Sequence, residues 1–187
     1  MSTPSAAVPS INGTLPRLLV SVRDADEAKM AIEAGVQLID VKEPSAGSLG
    51  AASVDSIREI ADLCGHRVLL SVALGELLDM PQRLLPQDIF PTFAKCGLSG
   101  CGEHPHWPAL WEQKMRGMAT SPVAVIYADY SRAAAPAPQA IVRHAAGHGC
   151  QAVLLDTFDK TGGNLLAHMT HEAIGSWRKT VQAAGMK

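Results

Sequence analysis

The sequence has no apolar run approaching the roughly 18 residues of a membrane-spanning helix. Residues 1–15 carry no basic segment followed by an apolar core, so they do not read as a secretory signal. Their richness in Ser, Pro, Ala and Thr predicts a disordered N-terminal tail. Strong charge is missing as well. A net charge of −2 over 187 residues leaves no electrostatic footprint for nucleic acid or an anionic membrane. Any basic site must be local. The four cysteines (Cys64, Cys96, Cys101 and Cys150) are too few to suggest a disulfide framework, and they point to the reducing cytoplasm. No Gly-x-Gly-x-x-Gly follows the first strand and no Gly-x-x-x-x-Gly-Lys occurs anywhere, which removes the main support for dinucleotide and P-loop readings.

What is present is the composition of an ordinary globular protein, 47% hydrophobic and 18% charged, with length enough for one domain and a real core. From Arg17 onward a short β-branched run, a loop and a helical stretch recur. Strands are predicted at Leu18 to Val22, Leu38 to Val41, Arg67 to Leu74, Thr92 to Leu98, Val123 to Ala128 and Ala152 to Thr157. Asp24 with Glu27 reads as a capping box and Gly35 as a helix stop. Ser53 caps a second helix, Trp107 to Met118 forms another, and Pro138 opens one that runs to Gly147. Thr170 caps the last, whose stripe is Ile174, Trp177, Val181 and Ala184. Pro81, Pro86 and Pro91 limit any helix in Leu77 to Pro91 to a short one. Alternation at the spacing of a βαβ unit, roughly 30 residues, predicts an α/β fold with a parallel sheet, doubly wound or rolled into a barrel.

Charge falls at particular strand ends. Alternation puts Asp40 and Lys42 on one face of the second strand, with Ile39 and Val41 on the other. Phe93, Lys95 and Gly97 share a face of the fourth, Leu154 and Asp156 a face of the sixth, and Lys160 follows in the next loop. Taken singly, Lys42 reads as a residue that snorkels from its strand end and pairs with Asp40 or Glu43. Taken together on a barrel, three even-numbered strands aim three ammonium groups and a carboxylate at the C-terminal face, where barrel active sites lie. Clustered positive charge and desolvation depress a lysine pKa and leave a neutral amine to attack a carbonyl. The same charge attracts a phosphorylated sugar.

Other clusters carry less. Cys96, Cys101, His104 and His106 crowd one stretch, yet Cys96 sits inside a strand and Pro105 divides the histidines, unlike a structural zinc site. His144 and His148 stand at i and i+4 without the carboxylate of a His-Glu-x-x-His motif, which reads as a solvated helix face. Cys101 falls near an exposed loop, the setting of a reactive thiol, yet no sequence feature singles it out. No metal and no cofactor are expected.

Leu19-Val-Ser-Val-Arg-Asp-Ala-Asp-Glu-Ala-Lys29 and Ile39-Asp-Val-Lys-Glu-Pro-Ser-Ala-Gly-Ser-Leu-Gly50 resemble the (5-formylfuran-3-yl)methyl phosphate synthase family. Lys95-Cys-Gly-Leu, Tyr127-Ala-Asp-Tyr and Leu154-Leu-Asp-Thr-Phe-Asp-Lys160 match later landmarks in the same order. The resemblance implies a TIM-barrel lyase that condenses two molecules of glyceraldehyde 3-phosphate into a phosphorylated furan aldehyde for methanofuran-type cofactors. It implies that Lys42 forms the Schiff base, Lys95 transfers protons, and Asp156 and Lys160 complete the site beside Asp40. About six of the family's eight (β/α) units fit before Lys187, so residues 16–187 are expected to form an incomplete barrel domain. The open edges of such a sheet make a homo-oligomer an expectation. Two alternatives stay open: another Schiff-base phosphosugar aldolase or isomerase, and a non-catalytic homologue that works only by association.

Overall fold

The computed structural model describes residues 16–80, 85–86, 88–116, 118 and 120–187. The predicted tail, 1–15, lies outside them, as does part of the stretch Leu77 to Pro91. Six parallel strands form one sheet in the order β1 (Leu19–Val22), β2 (Leu38–Val41), β3 (Leu69–Glu76), β4 (Phe93–Gly97), β5 (Ser121–Tyr127) and β6 (Ala152–Asp156). The order never reverses, so right-handed crossovers send every helix to one face. A doubly wound sheet would reverse. This sheet is wound as a barrel is, in one direction.

The helices are α1 (Ala25–Glu33), α2 (Val54–Cys64), α3 (Trp107–Met115), α4 (Pro138–Gly147), a short α5 (Leu165–His168) and α6 (His171–Ala183). Three begin on the expected caps, with Asp24 accepting from the Glu27 amide at 2.9 Å, Ser53 from Ser56 at 3.1 Å and Thr170 from Ala173 at 3.1 Å. Such a cap is worth about 1 kcal/mol. The capping box is shifted by one residue. Glu27 reaches past Asp24 to accept the Arg23 amide at 2.8 Å, because its other oxygen is tied to the Arg23 guanidinium. Helix α3 ends at Met115, three residues earlier than its pattern suggests.

The strands divide their side chains between two cores. Val20, Val22, Ile39, Val41, Leu70, Val72, Ala94, Cys96, Ala124 and Ile126 pack outward under the helices. The inner face stacks Leu69, Phe93 and Val123 low, and Ala73, Val125 and Tyr127 higher. The polar Asp40, Ser71 and Lys95 are also buried. The sheet curls around this inner face. The Ser48 hydroxyl in the loop after β2 donates to the Thr157 carbonyl at the end of β6 over 2.9 Å, although three strands separate β2 from β6 in the sheet. Leu49 of the same loop packs in the inner cluster that holds Tyr127 and Phe158. Beyond β6, Lys187 donates to the Gln151 carbonyl at 3.0 Å and accepts from the Val153 amide at 2.7 Å, a parallel pairing at the sheet edge.

Candidate active site

Lys95 projects from β4 into the inner face and is 3% exposed. Its ammonium donates to the Ser71 hydroxyl on β3 at 2.9 Å and to Asp40 on β2 in a short charge-assisted contact. Asp40 in turn accepts from the Ser21 hydroxyl on β1 at 3.1 Å. Four neighbouring strands thus supply one polar chain across an otherwise apolar surface. Burial pulls the Lys95 amine below its ordinary value, Asp40 opposes that, and the nearby charge of Lys42 adds to the lowering.

Lys42 stands two residues past Asp40, at the C-terminal end of β2, and is half-buried. Strand alternation puts both on one face, yet Asp40 pairs across the sheet with Lys95 and not with Lys42. Glu43 is also engaged elsewhere, accepting from the Ser45 amide and hydroxyl at 2.9 and 2.7 Å. Among the described residues, Lys42 has neither of the ionic partners that would make it an ordinary strand-end lysine.

Asp156 ends β6, and Lys160 folds back onto it at 2.6 Å. The same ammonium donates to the Thr157 carbonyl at 2.5 Å, so the loop after β6 is closed by its own lysine. The register sets Asp156 beside Tyr127 of the inner cluster, so it shares the inner face with Lys95. Asp129, after β5, braces this loop by accepting the Phe158 and Asp159 amides at 2.7 and 3.0 Å.

Glu76 and Tyr127 were not apparent as a pair from the sequence. The Tyr127 hydroxyl donates to Glu76 at 2.6 Å, and the other Glu76 oxygen accepts the Ser99 amide at 2.8 Å. A bulge in β3, where three steps from Ala73 to Glu76 oppose two steps from Lys95 to Gly97, turns Glu76 over β4. Gly97 makes room. A Cβ there would strike the Glu76 carboxylate and the Tyr127 oxygen. Burial raises the Glu76 carboxyl above its ordinary value, against the two hydrogen bonds it accepts.

The thiols stand apart from this chemistry. Cys101 is fully buried, not placed near solvent, and burial pushes its thiol up to about 11.

The arrangement offers a half-buried amine, a buried amine poised by a carboxylate, and a carboxylate–lysine pair on a loop. That combination suits carbonyl chemistry through an imine, with proton transfer at hand. Comparison with known proteins agrees on the family. The model of the 4-HFC-P synthase family matches residues 18–187. The (5-formylfuran-3-yl)methyl phosphate synthase of Methanococcus maripaludis strain C6 is 33% identical over 180 residues, spanning 91% of this chain and 76% of the relative. That of Methanothermobacter thermautotrophicus is 30% identical over 179 residues, with coverage of 91% and 76%. That of Methanocaldococcus jannaschii is 29% identical over 180 residues, with coverage of 91% and 77%. The match spans the whole sheet and its helices, and the chain belongs to the 4-HFC-P synthase family.

Proposed function

We propose that this chain is a lyase that condenses two molecules of glyceraldehyde 3-phosphate into (5-formylfuran-3-yl)methyl phosphate, through an imine on Lys42. The observation that carries the reading is the division of labour between two lysines. Asp40 holds the charge of Lys95, while Lys42 stands half-buried beside that charge without an ionic partner among the described residues. An amine in that position attacks the triose carbonyl, and water leaves as the imine forms. Lys95, its amine lowered by burial, passes its ammonium proton to Asp40 and takes the proton from the adjacent carbon, and the resulting enamine attacks the second aldehyde. Asp156 and Lys160 then serve the dehydration and the loss of phosphate, with the Lys160 ammonium neutralising the departing charge.

The test is reductive trapping. Borohydride with glyceraldehyde 3-phosphate is expected to fix a covalent adduct on the peptide that carries Lys42. Lys42→Arg is expected to remove it, since a guanidinium stays protonated. Lys95→Met is expected to keep the adduct and lose turnover. An adduct that forms equally well in Lys42→Arg sinks the assignment. Product analysis separates the furan synthase from another phosphosugar aldolase that shares the lysine chemistry.

A further inference from the structure

Glu112 on α3, with His144 and His148 at the end of α4, brings three metal-ligating atoms within 4.8 Å of one another. The sequence places the two histidines on a helix face with no carboxylate beside them; the fold supplies that carboxylate from the neighbouring helix. His148 Nδ1 lies 2.7 Å from the His144 carbonyl oxygen, which only accepts, so Nδ1 carries the proton. His148 Nε2 lies 2.9 Å from Oε1 of Glu112. A neutral imidazole would then turn a lone pair towards a carboxylate. Two acceptors at that distance require a cation between them, either a second proton or a metal ion.

His144 decides between these. Its Nε2 is buried and has no hydrogen-bond partner. Its ring is wedged edge-on between Trp107 and Trp111, at 5.0 and 5.4 Å between centroids, and stacks on His148 at 4.1 Å. A proton shared by His148 and Glu112 satisfies that pair and leaves His144 Nε2 unpaired at a cost. A divalent cation takes one donor atom from each of the three residues, which a shared proton cannot do.

We propose that Glu112, His144 and His148 bind one divalent transition-metal ion of the zinc class, with solvent completing its shell. Two imidazoles and a carboxylate suit zinc in type. Tetrahedral bonds of about 2.0–2.2 Å set ligand atoms roughly 3.3–3.6 Å apart, a separation that small side-chain rotations reach from the 2.9 Å between His148 and Glu112 and the 4.8 Å limit of the cluster. The bond from His148 Nδ1 to a backbone carbonyl is the outer contact that orients a metal-bound imidazole. Arg116 approaches the other Glu112 oxygen, at 3.9 Å, and leaves Oε1 available. A cleft lined by Trp111, Met115, Pro122 and His148 gives the ion a way in. Pro122 opens β5 and His148 closes α4, so the site lies at the N-terminal ends of the strands, opposite the lysines. There the ion clamps α3 to α4 and takes no part in the chemistry.

The full chain, freed of metal with a chelator, is titrated calorimetrically with zinc. One equivalent is expected to bind, with affinity at least about 10-fold lower in Glu112→Gln, His144→Ala and His148→Ala. His106→Ala, outside the cluster, is expected to match the unaltered protein. Glu112→Gln preserves shape, so its loss reports the ligand and not misfolding. Cobalt(II) is expected to give visible d–d bands that Glu112→Gln loses, and zinc is expected to raise the Tm of the unaltered protein but not of a His144→Ala/His148→Ala variant. The proposal is overturned if zinc binds that double variant with unchanged affinity, or if the unaltered chain binds no equivalent.

Discussion

Lys95 on β4 reaches past Ser71 on β3 to place its ammonium on Asp40 of β2, and both side chains are more than nine-tenths buried. Strand tilt in a curled sheet makes this reach possible, since the register sets Ala73, not Asp40, beside Lys95. The contact consumes the carboxylate that the β2 sequence offers to Lys42. It thereby sets the two lysines apart, one engaged and one open.

Such a pair is easier to break than to replace. Asp40→Asn strands a buried ammonium and is expected to cost about 3–5 kcal/mol, reduced by whatever Lys95 recovers through losing its proton. Asp40→Leu combined with Lys95→Met removes both charges and is expected to regain most of that loss. Urea unfolding of the two variants checks the coupling. If the double variant is no more stable than Asp40→Asn, the contact contributes nothing specific to the fold.

Glu76 makes a pH-dependent prediction. Its carboxyl is raised above the usual 4.5 by burial. Below that value the group is protonated in the folded and unfolded chain alike. As pH climbs through the higher folded value, the unfolded chain gives up its proton first, so the fold loses stability. Glu76→Gln cannot ionise, and its amide can accept from Ser99 and donate to Tyr127. Its Tm is expected to match the unaltered protein near about pH 4 and to exceed it at neutral pH. A Tm difference that is constant across this range would remove burial as the cause.

The strands were legible because period-two alternation and β-branched runs survive burial on both faces. The apolar pattern puts Arg67 and Val68 in the third strand, which instead starts at Leu69 and runs on to Glu76 through a bulge. That bulge hid Glu76, because simple alternation does not turn it over Gly97. Lys42, Lys95, Asp156 and Lys160 could be placed on strand ends from spacing. Their partners could not: the contact of Lys95 with Asp40 spans 55 residues and that of Tyr127 with Glu76 spans 51. Glu112 was likewise invisible beside His148, since nothing in one helix reports the face of the next.

Gly97→Ala tests the close approach over β4. The added Cβ meets the Glu76 carboxylate, held by Tyr127 and Ser99, and the oxygen of the buried Tyr127. Overpacking of this kind is expected to cost about 1–3 kcal/mol. Truncating Tyr127 to Phe in the same chain removes one of the clashing atoms and is expected to return part of it. Chemical denaturation of the single and double variants measures the difference, and strict additivity would place the strain elsewhere.

Asp156 and Lys160 separate stability from function. Lys160 is nearly half exposed at its side chain and Asp156 about a quarter, so their ion pair is screened by solvent and contributes at most about 1 kcal/mol. Lys160→Met is therefore expected to leave unfolding close to that of the unaltered protein. The same change removes the cation proposed to meet the departing phosphate, and Asp156→Asn removes the carboxylate that holds it. Charge-stabilising groups of this kind are worth about 10²–10³ in rate. Both variants are expected to lower kcat within that range while still forming the trapped adduct on Lys42, because neither touches the attacking amine. Adduct formation and turnover measured on the same preparations decide the matter. If Lys160→Met loses the adduct in step with turnover, the loop after β6 binds the first triose, and its role in later elimination falls.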